Sequence, residues 1–408
     1  MATHDANDGA VLFLVENMSV PADTRVWSEC LAVKAAGFDV IVIGPKGRAR
    51  DTEAFVVLDG VTIHRFRLSS SGGGIGGHLT EYLLALWHIR RLAGRVARDQ
   101  PISVVHAANP PDFLLLAVRF LRRRGASFVF DQHDLVPELY EARFGNRLRI
   151  LRTLSRLMER FSYSLADVVI VPNDSYRRIA LTRGKKNASD VFVVRNGPDP
   201  RTFRPGPVDL RLKDGKPHLL AYVGSMNAQD GVEYAIQALA VVATERRDWH
   251  AVFAGDGDAV DDAQRLANEL GISDLVEFPG VLERDDVVRL LSTADICVSP
   301  EPSSALNDVS TFIKVAEYMS MERPVVAFDL PESRFTAGEA AAYAPPNDVQ
   351  AFGSKILDLL CDPERRARLG SVGRARVVAQ LSWEHSAVSL RAAYERVLHK
   401  GRTRSYHV

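Results

Sequence analysis

Short apolar runs alternate with helical patterns along nearly the whole sequence of 408 residues. Apolar runs followed by helices are typical of parallel strands that are covered on both faces. The runs in the first half are residues 11–15, 39–43, 102–106, 127–131, 167–171 and 190–194. Those in the second half are residues 219–223, 250–254, 275–278, 295–299 and 324–328. The alternation predicts an α/β protein with two doubly wound, Rossmann-like sheets.

A proline-rich segment over residues 198–217 interrupts this alternation and is typical of an interdomain linker. We therefore predict an N-terminal domain over 1–205, a linker over 206–217, a second domain over 218–382, and a terminal helix with a tail over 383–408. Ligands of doubly wound sheets bind at the carboxyl ends of the strands. We expect the binding site in a cleft between the two domains.

The sequence favours a cytoplasmic protein. It shows no signal-peptide pattern, and no apolar run reaches the roughly 18–20 residues that span a bilayer. The cysteines Cys30, Cys297 and Cys361 are far apart and show no metal-binding spacing. Their number and separation fit a reducing compartment.

Basic residues exceed acidic ones in residues 1–205, although the net charge of the whole sequence is zero. They lie on predicted amphipathic helices: Arg90, Arg91, Arg95, Arg98, Arg119, Arg122, Arg123, Arg124, Arg147, Arg149, Arg152, Arg156 and Arg160. One interpretation is a set of solvated helix faces. The other is attraction to an anionic membrane surface or a polyanionic acceptor. Nucleic acid is not expected, because no interleaved aromatic residues or binding motif accompany the arginines.

A polar loop that includes Ser310 and Thr311 precedes a predicted short helix and the apolar strand 324–328. The first N–H groups of a helix lack intrahelical acceptors and readily bind an anion. Lys314 and Glu317 are three residues apart on this helix, so they share a face. A cation for phosphates beside a carboxylate for a sugar diol predicts a nucleotide-sugar site.

Several further motifs follow one another in a specific order. They are Arg195–Asp199, Phe203–Pro205, Ala221–Gly224, Ala254–Gly257, Phe278–Val281, Ala294–Pro300 and Glu317–Ala327. In order and spacing the chain resembles a family-4 glycosyltransferase with the two-domain GT-B fold. The resemblance implies retaining transfer of a sugar from a nucleotide donor. It also implies that no metal or other cofactor is needed and that the terminal helix crosses back to the first domain.

The resemblance also implies roles for individual residues. The catalytic group would be His133 at the donor sugar, Lys314 at the phosphates and Glu317 at the ribose. The remaining donor contacts would come from Gly224, Ser225, Met226, Gly255, Val281, Asp308, Ser310, Thr311, Phe312 and Arg195. The acceptor side would be formed by Asn17, Arg25, Asn109, Asp134 and Glu138. For His133 the alternative is a structural histidine. Arg25 would hold an anionic acceptor or the diphosphate; in the alternative, Asp23 simply caps the helix that follows.

The sequence departs from the family pattern at three positions. Val309 stands where relatives commonly carry a second carboxylate, so Asp308 is the candidate for that role; its alternative is a helix cap. Ser225 and Asp230 stand where many relatives supply two cations for the diphosphate. We expect Lys314 and the backbone N–H groups of Gly224–Met226 to stabilise the phosphates instead.

These observations predict a retaining glycosyltransferase, with a UDP-sugar as the favoured donor. The acceptor would be a hydroxyl of a glycan, a lipid-linked sugar or a small molecule, in the synthesis of cell-surface polysaccharide or glycoconjugates. The enzyme would be cytoplasmic, with peripheral attachment to the inner face of the cell membrane. Two alternatives remain open: a nucleotide-sugar 2-epimerase of the same architecture, and a non-catalytic sugar-nucleotide-binding partner subunit.

Overall fold

The computed structural model describes residues 9–47, 51–68, 75–144 and 149–405. Its contacts divide the chain into two compact units. The first contains Met1–Arg195 and Ser386–Val408, and the second contains Asn196–His385. Each unit is built on its own sheet, so the predicted α/β class with two Rossmann-like sheets is confirmed.

The boundary between the units differs from the predicted linker. The sequence places residues 196–205 in the first domain, whereas their contacts group them with the second unit. There, Ser320 Oγ donates a hydrogen bond of 2.6 Å to the carbonyl of Phe203. The backbone N–H of Trp383 also donates to the carbonyl of Pro198, at 3.2 Å.

The sheet of the first unit has an antiparallel edge that the sequence did not reveal. Its strands are β1 (Ala10–Leu14), β2 (Val40–Pro45), β3 (Phe55–Leu58), β4 (Val61–Phe66), β5 (Ile102–Ala108), β6 (Ser127–Asp131), β7 (Val168–Val171) and β8 (Val191–Val193). The described strands are ordered β3-β4-β2-β1-β5-β6-β7-β8. Only β3 runs antiparallel to its described neighbour. The four residues of β3 are all apolar but largely exposed, and so short an apolar run is a weak strand signal.

Helices cover the sheet of the first unit. They are α1 (Thr24–Ala35), α2 (Ile75–Asp99), α3 (Leu114–Ala117), α4 (Arg119–Arg122), α5 (Val136–Phe144), α6 (Arg149–Leu165), α7 (Asp174–Thr182) and, from Ser386 onward, α15 (Trp383–Ser405). Asp23 caps α1 by accepting from the N–H of Val26 at 3.0 Å. On α15, Arg396 and Lys400 pair with Asp190 at 2.9 and 2.5 Å.

The second unit repeats the Rossmann-like pattern. Its strands are β9 (His218–Val223), β10 (Trp249–Ala254), β11 (Val276–Gly280), β12 (Ile296–Ser299), β13 (Val325–Phe328) and β14 (Ala341–Ala344). The described strands are ordered β11-β10-β9-β12-β13-β14, and their pairs are parallel. Its helices are α8 (Val232–Glu245), α9 (Val260–Glu269), α10 (Arg284–Thr293), α11 (Ile313–Ser320), α12 (Pro331–Ala337), α13 (Val349–Cys361) and α14 (Pro363–Arg376).

Each sheet has one point where the strand order reverses. In the first unit the reversal falls between β1 and β5, and in the second between β9 and β12. The carboxyl ends of two such strands diverge and leave a crevice, which is where doubly wound sheets bind ligands. The loops that follow these strands begin at Val15 and Asn109 in the first unit, and at Gly224 and Pro300 in the second.

The predicted basic helices are present within the described residues, whereas Arg147 lies outside them. On α2, the side chains of Leu83, Leu84 and Trp87 are exposed beside the arginines of the same helix. Among the described helices, none has the length and apolarity needed to cross a bilayer.

Candidate active site

Lys314 lies near the start of α11, at the crevice of the second unit. Its Nζ donates to Glu301 Oε1 at 2.6 Å and to the hydroxyl of Tyr222 at 2.8 Å. The ammonium also lies 4.3 Å from the centre of the Tyr222 ring. Burial alone would lower the pKa of Lys314, but Glu301 and Tyr222 outweigh burial and raise it. Lys314 is therefore a fixed cation that already has a carboxylate partner.

Glu301 follows β12 and is fully buried. It accepts a short hydrogen bond from Ser299 Oγ in addition to the one from Lys314. The sequence interpretation gave Glu301 no role in the site. Its position immediately after a strand at the reversal point was the available signal.

Glu317 lies one turn after Lys314 on α11 and is half-buried. Burial raises the pKa of its carboxyl to about 7, while Lys314 and Arg284 act in the opposite direction. Within the described part of the chain, its carboxylate makes no hydrogen bond or ion pair. It can therefore accept hydrogen bonds from a ligand, as a ribose-binding carboxylate must.

The glycines at this crevice permit close backbone approaches. Gly255 has φ +147°, and a Cβ there would lie 1.8 Å from the carbonyl oxygen of Gly224. Gly224 has φ +152°, and a Cβ there would lie 2.9 Å from Cε of Lys314. Any side chain at Gly255 would force these two loops apart, and one at Gly224 would displace Lys314.

The expectation that the N–H groups of Gly224–Met226 bind phosphate is wrong for two of the three. The N–H of Gly224 donates to the carbonyl of Ala254 at 3.0 Å, and that of Met226 donates to the carbonyl of Asp256 at 2.9 Å. Met226 is also fully buried. Ser225 is exposed, and among the described residues its N–H has no acceptor.

The loop before α11 offers further acceptors and donors. Asp308 Oδ2 accepts from Ser303 Oγ at 3.2 Å, while its buried Oδ1 has no hydrogen-bond partner among the described residues. Asp308 is not the cap of α11, since Phe312 occupies that position and makes no side-chain cap bond. The hydroxyl of Ser310 donates to the carbonyl of Leu306 at 2.8 Å. Thr311 is half-buried in the same loop.

The structure also defines the surroundings of Asp230 and Val281 in this unit. Asp230 accepts from the N–H of Asn227 at 2.9 Å and forms a capping box with it, so its carboxylate has a structural role. Val281 is 76% exposed after β11, so its side chain is open to a nucleobase.

His133 follows β6 in the first unit and is partly exposed. Its Nε2 lies 2.5 Å from Asp131 Oδ2 and 3.0 Å from Nε of Arg25. Arg25 also donates to the carbonyl of Val194 at 2.9 Å and to Asp131 Oδ1 at 3.0 Å. The predicted role of Arg25 as an anion-binding residue is therefore wrong, because the guanidinium is buried and bonded within the unit.

Asn109 is buried and does not line an acceptor surface, contrary to the prediction. Its Oδ1 accepts from the N–H groups of His133 at 2.6 Å and Asp134 at 3.1 Å. Its Nδ2 donates to Asp112 at 2.6 Å and to the carbonyl of Asp134 at 2.8 Å. Asn109 thus holds the loop that carries His133 in place.

Glu138 is also engaged within the unit, so its predicted contact with an acceptor is not supported. It accepts from Arg183 at 2.6 and 3.2 Å, and Arg183 also pairs with the buried Glu159 at 2.6 Å. Arg195, predicted at the donor, lies in the first unit and pairs with Asp174 at 2.7 Å.

The other two predicted acceptor-side residues lie near the surface of the first unit. Asn17 follows β1 and is exposed. Asp134 is half-buried, and burial raises the pKa of its carboxyl. Both positions agree with contact with an acceptor.

Glu29, Asp131 and His133 form a group whose candidate metal-ligand atoms lie within 4.8 Å of one another. Arg25 Nη2 lies 3.2 Å from Glu29 Oε1 and 3.0 Å from Asp131 Oδ1. The positive charge at this cluster is therefore supplied by the guanidinium of Arg25. Asp131 and Glu29 were not predicted as site residues, although Asp131 ends a strand two residues before His133.

Two Rossmann-like sheets in one chain, each with polar residues after its reversal point, are the architecture of GT-B glycosyltransferases. Sucrose-phosphate synthase from Thermosynechococcus elongatus superposes with a TM-score of 0.78 at 19% identity, over 96% of this chain and 99% of that one. The UDP-glucose complex of Anabaena HepE superposes with a TM-score of 0.70 at 16% identity, over 95% and 99% of the two chains.

Family models match both units. Residues 22–197 match the glycosyl transferase 4-like domain, and residues 217–362 match glycosyl transferases group 1. The chain belongs to the family-4 glycosyltransferases, as the resemblance predicted. Alpha-D-kanosaminyltransferase of Streptomyces kanamyceticus is 30% identical over 186 residues, which cover 45% of this chain and 47% of the relative. The chain spans about half the length of the first curated relatives it matches.

Proposed function

We propose that this protein is a retaining glycosyltransferase that moves a sugar from a nucleoside diphosphate donor to a hydroxyl acceptor. The observation that carries the proposal is the pairing on α11 of a fixed cation, Lys314, with an unpartnered carboxylate, Glu317. The diphosphate would lie at the start of this helix and the ribose at Glu317. A UDP-sugar is the favoured donor, because a structural neighbour binds UDP-glucose.

The chemistry proposed for this site needs no enzymic nucleophile. The acceptor hydroxyl would attack on the face from which the nucleotide leaves, and a phosphate oxygen of the leaving group would take its proton. The Lys314 ammonium and the N–H groups at the start of α11 would stabilise the charge that develops on the diphosphate. Neither a metal ion nor another cofactor is part of this proposal.

A donor screen by thermal shift tests the proposal, because a ligand that binds the native state raises the melting temperature. UDP-sugars and GDP-sugars should be compared at equal concentration, with Glu317→Gln as the matched site variant. We expect a shift with at least one sugar nucleotide that is reduced in the variant. No shift with any of them would contradict the proposal.

Product analysis then separates the remaining alternatives. With donor and a hydroxyl acceptor we expect a glycoside that keeps the anomeric configuration of the donor, as determined by NMR. Formation of an epimeric sugar nucleotide without acceptor would favour the 2-epimerase. Donor binding without any turnover across an acceptor panel would favour a non-catalytic partner subunit.

We also propose that the first unit attaches to the inner face of the cell membrane through α2. A depression of about 500 Å³ on this helix is lined by Trp87, Arg90, Arg91, Gly94, Arg95 and Arg98. The guanidinium of Arg91 lies 5.4 Å from the centre of the exposed Trp87 ring. Arginines beside exposed Leu83, Leu84 and Trp87 match an interface of lipid phosphates and acyl chains. A lipid-linked or cell-surface glycan acceptor would be presented there.

Vesicle sedimentation tests this attachment. Binding to vesicles with anionic lipid should exceed binding to neutral vesicles and should weaken as salt rises. A variant with Arg91→Glu and Arg95→Glu should bind less, whereas Arg265→Glu, an exposed substitution in the second unit, should not. Equal binding to neutral vesicles, or none, would contradict the proposal.

A further inference from the structure

Asp131 is the centre of a buried cluster in the first unit, and it is fully enclosed. Its Oδ1 lies 3.0 Å from Arg25 Nη2, and its Oδ2 lies 2.5 Å from His133 Nε2 and 3.4 Å from His106 Nε2. Glu29 completes the cluster, 3.2 Å from Arg25 and 3.4 Å from His106. One carboxylate therefore faces groups from α1, β5 and the end of β6.

The charges and distances in this cluster determine which of its groups carry protons. Burial would raise the pKa of Asp131, but the charge of Arg25 holds it well below its usual range. Burial and the charge of Asp131 raise the pKa of Glu29 well above its usual value, so Glu29 is the carboxyl that keeps a proton. Burial lowers the pKa of His106. Asp131 is therefore the ionised carboxylate of the cluster, and it lies beside the guanidinium of Arg25.

The distance between His133 and Asp131 fixes the position of one more proton. An unprotonated Nε2 at 2.5 Å from a carboxylate oxygen would set two lone pairs against each other. Because Asp131 is ionised, the shared proton belongs to Nε2 of His133. In that tautomer Nε2 cannot also accept from Arg25 Nε at 3.0 Å, and the guanidinium instead lies beside the charge of Asp131.

We infer that Asp131 is a positioning residue that holds His133 through a proton on Nε2, so that the Nδ1 edge of the ring is presented to a sugar hydroxyl. Carboxylates orient histidines in this way in metal sites and in serine-type triads. The side chain of His133 is 14% exposed, whereas that of Asp131 is fully enclosed, so only the histidine can reach a ligand. The assignment of the sugar hydroxyl rests on the proposed function, but the tautomer does not.

The terminal helix supports the same cluster through His106. Tyr394 on α15 bonds through its hydroxyl to Nδ1 of His106 at 2.9 Å, and both groups are buried. Phe13 of β1 stacks on the His106 ring with 4.3 Å between centroids. These contacts hold the Nε2 edge of His106 against Asp131 and Glu29.

Nitrogen-15 NMR of the full-length protein labelled at histidine tests the inference directly. His133 is assigned by comparison with His133→Gln. We expect Nε2 of His133 to carry a proton. An unprotonated Nε2 would overturn the inference, because Nε2 would then accept from Arg25 and the shared proton would belong to Asp131.

The two carboxyl groups of the cluster provide a matched pair of variants. Glu29→Gln preserves a neutral side chain that can donate to Asp131, so the His133 tautomer should not change. Asp131→Asn removes the anion, so we expect a mixture of tautomers and a fall in kcat of about 10-fold or more, as for other misoriented histidines. Equal spectra for the two variants would contradict the inference.

Activity measurements test the proposed function, and NMR spectra test the positioning role of Asp131, so the two can fail independently. If the tautomer is as inferred but no sugar nucleotide binds, the proposed function is wrong and the positioning role stands. If donors bind and turn over while Nε2 of His133 carries no proton, the positioning role is wrong and the proposed function stands. Should Asp131→Asn fail to fold, the wild-type and Glu29→Gln spectra still decide.

Discussion

The two crevices of this protein use their charged groups in opposite ways. In the first unit, the buried side chains of Arg25 and Asp131 pair with each other, and His133 beside Asp131 is partly exposed. In the second unit, the Glu317 carboxylate has no described partner and one Asp308 oxygen is unpaired. The charged groups of the first crevice therefore orient the His133 side chain. Those of the second crevice present hydrogen-bond acceptors that a ligand can use.

Lys314, unlike Glu317, has an ion-pair partner within the second unit, the buried Glu301. A buried ammonium without a counter-charge would be costly, and Glu301 removes that cost in the absence of ligand. A diphosphate that approaches α11 would compete with Glu301 for the same cation. The helix start and Lys314 then act together on the anion.

Removing Lys314 should produce the largest effect on the second crevice. We expect Lys314→Ala to lower kcat/KM by about 100-fold or more, because a preorganised charge at the leaving group is lost. Lys314→Ala also leaves Glu301 without its ion-pair partner, which by itself destabilises the fold. The control is therefore the double variant Lys314→Met with Glu301→Gln. The double variant should recover melting temperature but not turnover, and near-normal turnover in either protein would place the phosphates elsewhere.

The second largest effect is expected from neutralising Glu317, which should weaken donor binding. Hydrogen bonds to a charged group contribute about 1.5–3 kcal/mol, so Glu317→Gln should raise the Kd for the sugar nucleotide by about 10-fold or more. Glu245→Gln, an exposed carboxyl at the end of α8, is the matched control and should leave the Kd unchanged. Calorimetric titration measures both. Equal Kd values for the two variants would refute a ribose contact at Glu317.

The acidity of Glu317 predicts a pH dependence of donor binding. Because burial raises its folded-state pKa to about 7, above the ordinary value of 4.5, the folded protein keeps a proton that the unfolded chain releases. The contribution of Glu317 to stability is thus present below the unfolded value and lost as pH rises through about 7. Donor affinity should rise over the same window, since the ionised form is the better acceptor. Glu317→Gln should flatten this trend; an unchanged slope would assign it to another group.

The smallest effect on ligand binding is expected in the first unit. Glu138→Gln loses the charge that pairs with Arg183, while Glu159 still holds that guanidinium. We expect a loss of about 1–2 kcal/mol in the free energy of unfolding, with the donor Kd unchanged. Chemical denaturation and titration measure the two quantities. A weaker donor affinity would mean that the scaffold is part of the donor site.

Local pattern was enough to predict most strands, the helix that carries Lys314 and Glu317, and the family. It was not enough for the polar contacts of the first unit. Arg25 pairs with Asp131 across 106 residues, and Tyr394 bonds to His106 across 288. No local spacing encodes such partners, so the sequence alone predicts a ligand-binding role for Arg25. Asn109 was misassigned for the same reason, because its bonds to the loop of His133 depend on the pairing of β5 with β6.

Hydrogen–deuterium exchange of the full-length protein, with and without UDP-glucose, tests the central claim most directly. The claim is that the donor binds at the start of α11, where the first N–H groups of the helix have no intrahelical acceptor. We predict that the sugar nucleotide slows exchange in peptides covering residues 307–317 and 224–226, and that Glu317→Gln reduces this protection. Protection confined to the first unit, with none in these peptides, would contradict the account.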